Sequence, residues 1–278
     1  MERLLSMSTD GLDIARMRAD LHTIRVGRRI AHAETVPSTN DEAWKLLDAP
    51  DADGLVFLAE HQSAGRGRLG RRWESPPCAS LLCSVVLVDP ARELSGGMLS
   101  LASAVVACDA VLQAAGRIPT IKWPNDLLVS GKKLGGILIE SRKRLDGIRA
   151  YVVGIGINCL QQPGDFAPPM VNNATSLRIE TGHHVDRTSL AIALISHLDE
   201  WMVHSSKTDA AMLKREWLAR AAPLGQRVCV RREGRTFSGS ILDIDPTAAL
   251  IVQLDDGGIR AFNLNETEIP LGPASEAG

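Results

Sequence analysis

The pattern of the chain breaks at Pro223-Leu224-Gly225, and that break limits the folds open to it. Beyond it lie short segments that alternate apolar and polar residues: Arg227 to Arg232, Arg235 to Ile244, Ala249 to Leu254 and Gly258 to Asn263. Between them stand Glu233-Gly234, Asp245-Pro246 and Asp255-Asp256-Gly257-Gly258, residue types that accept the special backbone angles of hairpin turns. Roughly 50 residues of this kind predict a small antiparallel barrel. The part before the break is different. There, strand-like and helix-like stretches mix, and only some of them alternate, which predicts α+β rather than a doubly wound parallel sheet.

The expected layout is an N-terminal extension over 1–28, a main domain over 29–222, the small domain over 223–272 and a tail over 273–278. Leu12 to Leu21 reads as a helix, Arg29 to Val36 as a strand, and Ser38 to Asn40 as cap-type residues before a short helix with Trp44. Strands are expected at Leu55 to Ala59, Ser80 to Val88, Leu127 to Val129, Leu134 to Glu140 and Ala150 to Asn158. Met98 to Ala115 carries an apolar stripe (Leu101, Val105, Cys108, Val111, Leu112) closed by Gly116. Gln161 to Pro169 is a proline-rich loop, and helices follow at Arg187 to Val203 and Thr208 to Ala222.

Composition narrows the function. The formal charge is −2, so no global basic field invites nucleic acid, and any positive character is local. The five cysteines form no C-x-x-C pair, which argues against a zinc site or a disulfide framework and for buried thiols in a reducing, cytoplasmic setting. No apolar run is read as reaching the roughly 18 residues of a membrane span, and the N-terminus lacks a signal peptide's apolar core.

The chemistry concentrates in Ala64 to Arg72, A-G-R-G-R-L-G-R-R, with four arginines and three glycines in nine residues. Arginine's planar fork suits phosphate oxygens, and glycine lets a backbone approach its ligand. Gly65 to Gly70 matches G-x-G-x-x-G. The helix that a dinucleotide site needs is blocked, however, by Pro76 and Pro77. No Gly-Lys-Ser/Thr follows, so a Walker loop is excluded. A mobile phosphate loop, disordered when empty and ordered by its ligand, is the expectation.

Other constellations support it. Ile121-Lys122-Trp123-Pro124-Asn125-Asp126 sets a lysine at a strand end beside a rigid turn, suited to stabilising a developing anion. Asn125 and Asp126 read equally as turn residues or magnesium ligands. Lys133-Leu134-Gly135-Gly136 and Val153-Gly154-Ile155-Gly156-Ile157-Asn158 interrupt strands with glycine, which predicts a slot for a flat, narrow ligand. Ser38, Thr39, Asn40 and Gln62 would supply polar partners for a ring in that slot. No histidine spacing suggests a metal centre.

In order, S-T-N, E-H-Q-x-A-G-R-G-R-x-G-R-x-W, K-W-P-N-D, K-L-G-G-I-L and G-I-G-I-N resemble the motifs of the biotin protein ligases, over about residues 30 to 271. The resemblance implies a catalytic domain related to class II aminoacyl-tRNA synthetases, followed by an SH3-like barrel. It implies that biotin and Mg-ATP give biotinyl-5′-AMP, which then acylates a lysine of a biotin carboxyl carrier protein such as the acetyl-CoA carboxylase subunit. Ser38, Thr39 and Gln62 match the ureido end of the biotin site, Gly65 and Arg66 the loop over biotin, and Asn40 and Gly67 belong to the same biotin and adenylate site. Arg68 and Arg71 match arginines directed at phosphate. Lys122 matches the lysine between carboxylate and α-phosphate, making Lys122, Arg66 and Arg68 the expected catalytic set. Lys133, Gly135, Gly154, Gly156 and Asn158 match the remaining walls, and Trp73 the closing aromatic. Magnesium accompanies ATP, and the resemblance assigns no residue of this chain as its ligand.

Two departures stand out. Only 37 residues precede Ser38, too few for the winged helix-turn-helix of repressor-type ligases, so no specific DNA binding is expected. Where relatives end on a nucleotide-binding arginine, this chain reads Pro270-Leu271-Gly272, and Ala174 to Leu177 lacks the tryptophan that some place near adenine. The family includes monomers and homodimers, with an edge strand as one pairing route. A lipoate or octanoate ligase shares the fold but not the arginine loop and barrel. A passive biotin binder has no use for an adenylation lysine.

Overall fold

The computed structural model describes residues 11–168, 170–204, 210–221, 224–245, 249–263 and 267–269. The predicted tail, Pro270-Leu271-Gly272, Pro223 of the boundary and Pro246 of one turn lie outside the described residues.

A seven-stranded sheet organises the first part, in the order β1-β2-β3-β7-β6-β5-β4. Its strands are β1 (Ile30–Val36), β2 (Val56–Gln62), β3 (Ser80–Asp89), β4 (Thr120–Lys122), β5 (Asp126–Val129), β6 (Lys132–Lys143) and β7 (Arg149–Asn158). Only β1 and β2 run parallel, and every other neighbour is antiparallel. The mixed sheet is the α+β architecture that the uneven alternation predicts.

Period-two alternation gives the sheet two unlike faces. Leu81, Cys83, Val85 and Leu87 of β3, with Val153, Ile155 and Ile157 of β7, join the larger core. That core is covered by α1 (Ile14–Asp20), α3 (Gly96–Ala115), α5 (Arg187–His204) and α6 (Ala210–Arg220). The opposite face receives α2 (Thr39–Lys45), whose Ala43 and Trp44 pack with Phe57, Val86 and Val152. A further one-turn helix, α4 (Leu177–Thr181), was not anticipated; it starts on the Ser176 side chain and ends on Gly182 at φ 77°.

Helix α3 corrects two expectations. Leu112, assigned to the buried stripe, is 44% exposed, while Ser100, Ser103, Ala104 and Ala107 are buried, so contact extends round the helix. The helix is also 20 residues long with a mean hydropathy of 1.7, enough by length and composition to cross a membrane. Its small residues instead let β6, α5 and α6 pack closely around it, and most of it is buried as a core helix. It begins where Ser95 accepts from the Met98 N–H and stops where Gly116 turns left-handed at φ 63°.

The N-terminal segment is docked through acids elsewhere in the chain. Buried Glu60 accepts from the Leu12 N–H at 2.7 Å and from Arg187 at 2.6 Å. Buried Asp199 accepts the N–H groups of Ile24, Arg25 and Val26 at 2.7–2.8 Å. Three donors converging on one carboxylate satisfy a backbone turn that has no partner strand.

Beyond residue 223 a five-stranded antiparallel sheet has the order β11-β10-β9-β8-β12. The strands are β8 (Arg227–Arg232), β9 (Arg235–Asp245), β10 (Ala249–Leu254), β11 (Ile259–Asn263) and β12 (Thr267–Glu268). Val230, Ile244, Leu250, Val252 and Phe262 are buried within it. The Trp217 and Trp123 rings meet edge-on at 6.0 Å, and Ala221 bridges to Ile121, tying α6 to the edge strand β4.

Candidate active site

A cavity of about 730 Å³ opens on the face of the large sheet that carries α2, a size typical of small-molecule sites. Its floor follows from strand periodicity. Gly154, Gly156 and Asn158 of β7 share one face, opposite Leu82 and Ser84 of β3 and Gly136 of β6. Each glycine clears space that a neighbour then uses. A Cβ at Gly156 would lie 2.8 Å from the Trp73 indole, and one at Gly154 would overlap the Asn40 amide.

At one end the polar groups are already ordered by each other. Thr39 donates through its N–H at 2.7 Å and its hydroxyl at 3.0 Å to Gln62 Oε1. Ser84 Oγ lies 2.7 Å from Thr39 Oγ1 and 2.6 Å from Asn40 Oδ1. Ser38 occupies the N-cap of α2 but makes no capping bond through its side chain, so the expected cap role falls away and the residue lines the cavity instead. Gln62 belongs to the end of β2, which runs further than the predicted Leu55 to Ala59.

The arginine-glycine segment is a hairpin rather than a structureless loop. Gly67 N–H donates to Arg71 O at 2.7 Å, Trp73 N–H donates to Gly65 O at 3.0 Å, and Arg66 bridges to Arg72. Leu69 and Gly70 turn the tip with φ 55° and 74°. The glycines that suggested disorder here permit a tight reversal. Gly65 does not line the cavity: a Cβ there would lie 2.5 Å from Trp73 O, so its smallness closes the hairpin base. Arg66, Gly67, Arg68, Arg71 and Trp73 do line it.

Lys133 lines the cationic end, and Lys122 stands one residue before the lining Trp123 and Pro124. Lys122 ends the edge strand β4 in register with Asp126. Lys133, on β6 two strands away, lines the cavity and places Nζ 2.5 Å from Asp126 Oδ1. Asn125 accepts from Arg68 at 3.2 Å and donates to Ile137 O at 2.5 Å, fixing the turn. Gly135 also lies outside the lining, since a Cβ there would meet Gly156 O at 2.7 Å and Leu127 at 3.3 Å. Its smallness serves strand packing, and Gly136 faces the cavity in its place.

Further walls come from stretches that sequence reasoning treated as connectors. Phe166 and Ala167 of the proline-rich loop and Met170 just after it line the cavity, as does Ile269 from beyond the small sheet. A lone aromatic amid prolines was the available signal in the loop; Ile269 had none. Among the described residues no group of three His, Cys, Asp or Glu side chains comes together as a metal cluster.

Residues 32–158 match the biotin/lipoate A/B protein ligase family, and residues 224–269 match the biotin protein ligase C terminal domain. The chain is 37% identical over 220 residues to the biotin–[acetyl-CoA-carboxylase] ligase of Paracoccus denitrificans, covering 78% of this chain and 90% of that protein. It is 31% identical over 265 residues to the bifunctional ligase/repressor BirA of Bacillus subtilis (strain 168), covering 94% and 79%. Among solved structures, the biotin protein ligase from Aquifex aeolicus in complex with biotin and ATP superposes with a TM-score of 0.75, at 23% identity, over 88% of this chain and 100% of that one. At that identity the likeness speaks for the fold.

Proposed function

The chain belongs to the biotin/lipoate A/B protein ligase family, and from that premise we propose that it joins biotin to a carrier-protein lysine at the expense of ATP. The observation that carries the reading is the division of one cavity into a hydrogen-bonded end and a cationic end. Ser38, Thr39, Asn40 and Gln62 surround the first; Arg68, Arg71 and Lys133 line the second. A flat ring rich in N–H and C=O groups suits the former, and phosphates suit the latter.

In the first step a biotin carboxylate oxygen bonds to the α-phosphorus of ATP, and the bond to the β-phosphate oxygen breaks, releasing pyrophosphate. Two anions must meet, so a fixed cation between them lowers the barrier. Lys122, at the end of β4 beside the Trp123-Pro124 wall, is our candidate for that cation, with Lys133, held by Asp126, lining the same end. In the second step the neutral amine of the carrier lysine attacks the acyl carbon. The acyl C–O bond breaks, AMP leaves, and the amide nitrogen loses its extra proton. Magnesium enters with ATP as part of the substrate. The accepting protein in this reading is a biotin carboxyl carrier protein, and five free thiols suit a reducing compartment such as the cytoplasm.

The test is direct. Purified chain, Mg-ATP, biotin and a carrier domain should yield a streptavidin-reactive carrier. Pyrophosphate exchange should require biotin and ignore lipoate and octanoate. Absence of both transfer and exchange refutes the reading, and exchange driven by lipoate would move it to the sister branch of the family.

A further inference from the structure

Arg66 is gripped by acid on two sides. Its Nη1 lies 2.5 Å from Asp41 Oδ2 and its Nη2 2.8 Å from Asp41 Oδ1, a two-pronged pair. Nη2 also approaches Glu140 Oε1 at 3.3 Å. The other oxygen of Glu140 accepts from Trp44 Nε1 at 2.8 Å and from Asn40 Nδ2 at 3.1 Å. One carboxylate on β6 therefore joins α2 to the hairpin, and Asp41 in the first turn of α2 completes the seat. Hydrogen bonding from Arg66 holds the Asp41 carboxyl below its ordinary range despite partial burial, so the pair is charged at neutral pH.

A guanidinium faced by two carboxylates has little positive field left to offer a phosphate. Its fork is also geometrically occupied. Arg66, Arg68 and Arg71 all line the cavity, and Arg68 also donates to the Asn125 side chain at 3.2 Å.

We propose that Asp41 and Glu140 are positioning residues that latch the arginine hairpin onto α2 through Arg66, and that this latch sets how long the acyl-adenylate stays bound. The inference rests on the ligase reading above. It moves Arg66 from the expected catalytic set to a structural hold on the lid. It also links the two ends of the site, because Asn40, at the ring end, and Arg66 share Glu140.

The experiment uses the full chain loaded with labelled biotin and Mg-ATP without carrier, followed by a chase that times release of the adenylate. Asp41→Asn should accelerate release about 10-fold, the scale of losing a charge-assisted two-pronged contact. Arg66→Ala should accelerate it at least as much, and the double variant no more than Arg66→Ala alone, since both cut one contact. Glu140→Gln, a second route to the same seat, should accelerate release as well. Melting curves identify any variant that fails to fold, leaving the other to decide. Release from folded Asp41→Asn at the wild-type rate, or effects of Asp41 and Arg66 that multiply independently, would overturn the latch. A wild-type chain that forms no adenylate would overturn the ligase reading instead.

Discussion

Two lysines eleven positions apart stand near the cationic end: Lys122 closes β4 beside the Trp123 wall, and Lys133 lines the cavity against Asp126. Lys122→Ala should lower biotin-dependent pyrophosphate exchange on the order of 10²–10³-fold. Near-normal exchange in that variant would remove Lys122 from the mechanism and leave Lys133 as the candidate cation. Gly156→Ala sets a methyl 2.8 Å from the Trp73 ring, which has no flexible end to withdraw. A raised KM for biotin and a stability loss of about 1–3 kcal/mol are expected, read by steady-state kinetics and denaturant titration. The motifs were legible as motifs because their residue types are chemically unusual. Which member of each motif faces the cavity was not. That depends on strand phase, and an irregularity between Leu127 and Leu128 shifts the register of β5 against β6, next to Gly135 and Gly136.

Among the elements, the segment over residues 11–28 was the least readable. Its helix is short, and its anchors are backbone N–H groups donated to Glu60 and Asp199, contacts without any local periodicity. Burial pushes Glu60 up, yet the Leu12 N–H and Arg187 more than offset this and hold it below the usual carboxylate range. Arg187→Leu would strand that buried carboxylate, with an expected cost of about 3–5 kcal/mol in chemical denaturation. Asp186 shows the same balance: burial raises it, but hydrogen bonds from Ser189 and Arg16 bring it to about 2 from an ordinary 3.8. A depressed folded-state pKa contributes stability that is complete above about pH 4 and fades as pH falls toward 2. The melting temperature should therefore drop across that window, less steeply for Asp186→Asn. Parallel pH profiles would show that Asp186 has no part in it. By contrast, β8 and β10 agree with their sequence reading residue for residue, because alternation and hairpin turns are local signals.

For the whole molecule, α6 links the small sheet to the cavity. Trp217 of α6 supports Trp123, which lines the cavity, and Lys214 pairs with Asp243 of β9. Trp217→Ala should cost about 3–5 kcal/mol and lower adenylation along with it, because the wall it supports would relax. Full exchange activity in a folded Trp217→Ala chain would sever that link. The cavity floor pairs Ser80 with Asn158, residues 78 positions apart, and its rim includes Ile269. A peptide spanning the arginine hairpin, grafted onto another scaffold, would carry the cations with neither the floor nor the rim. The part of this chain that looks most portable on paper is, for that reason, the part least able to act away from home.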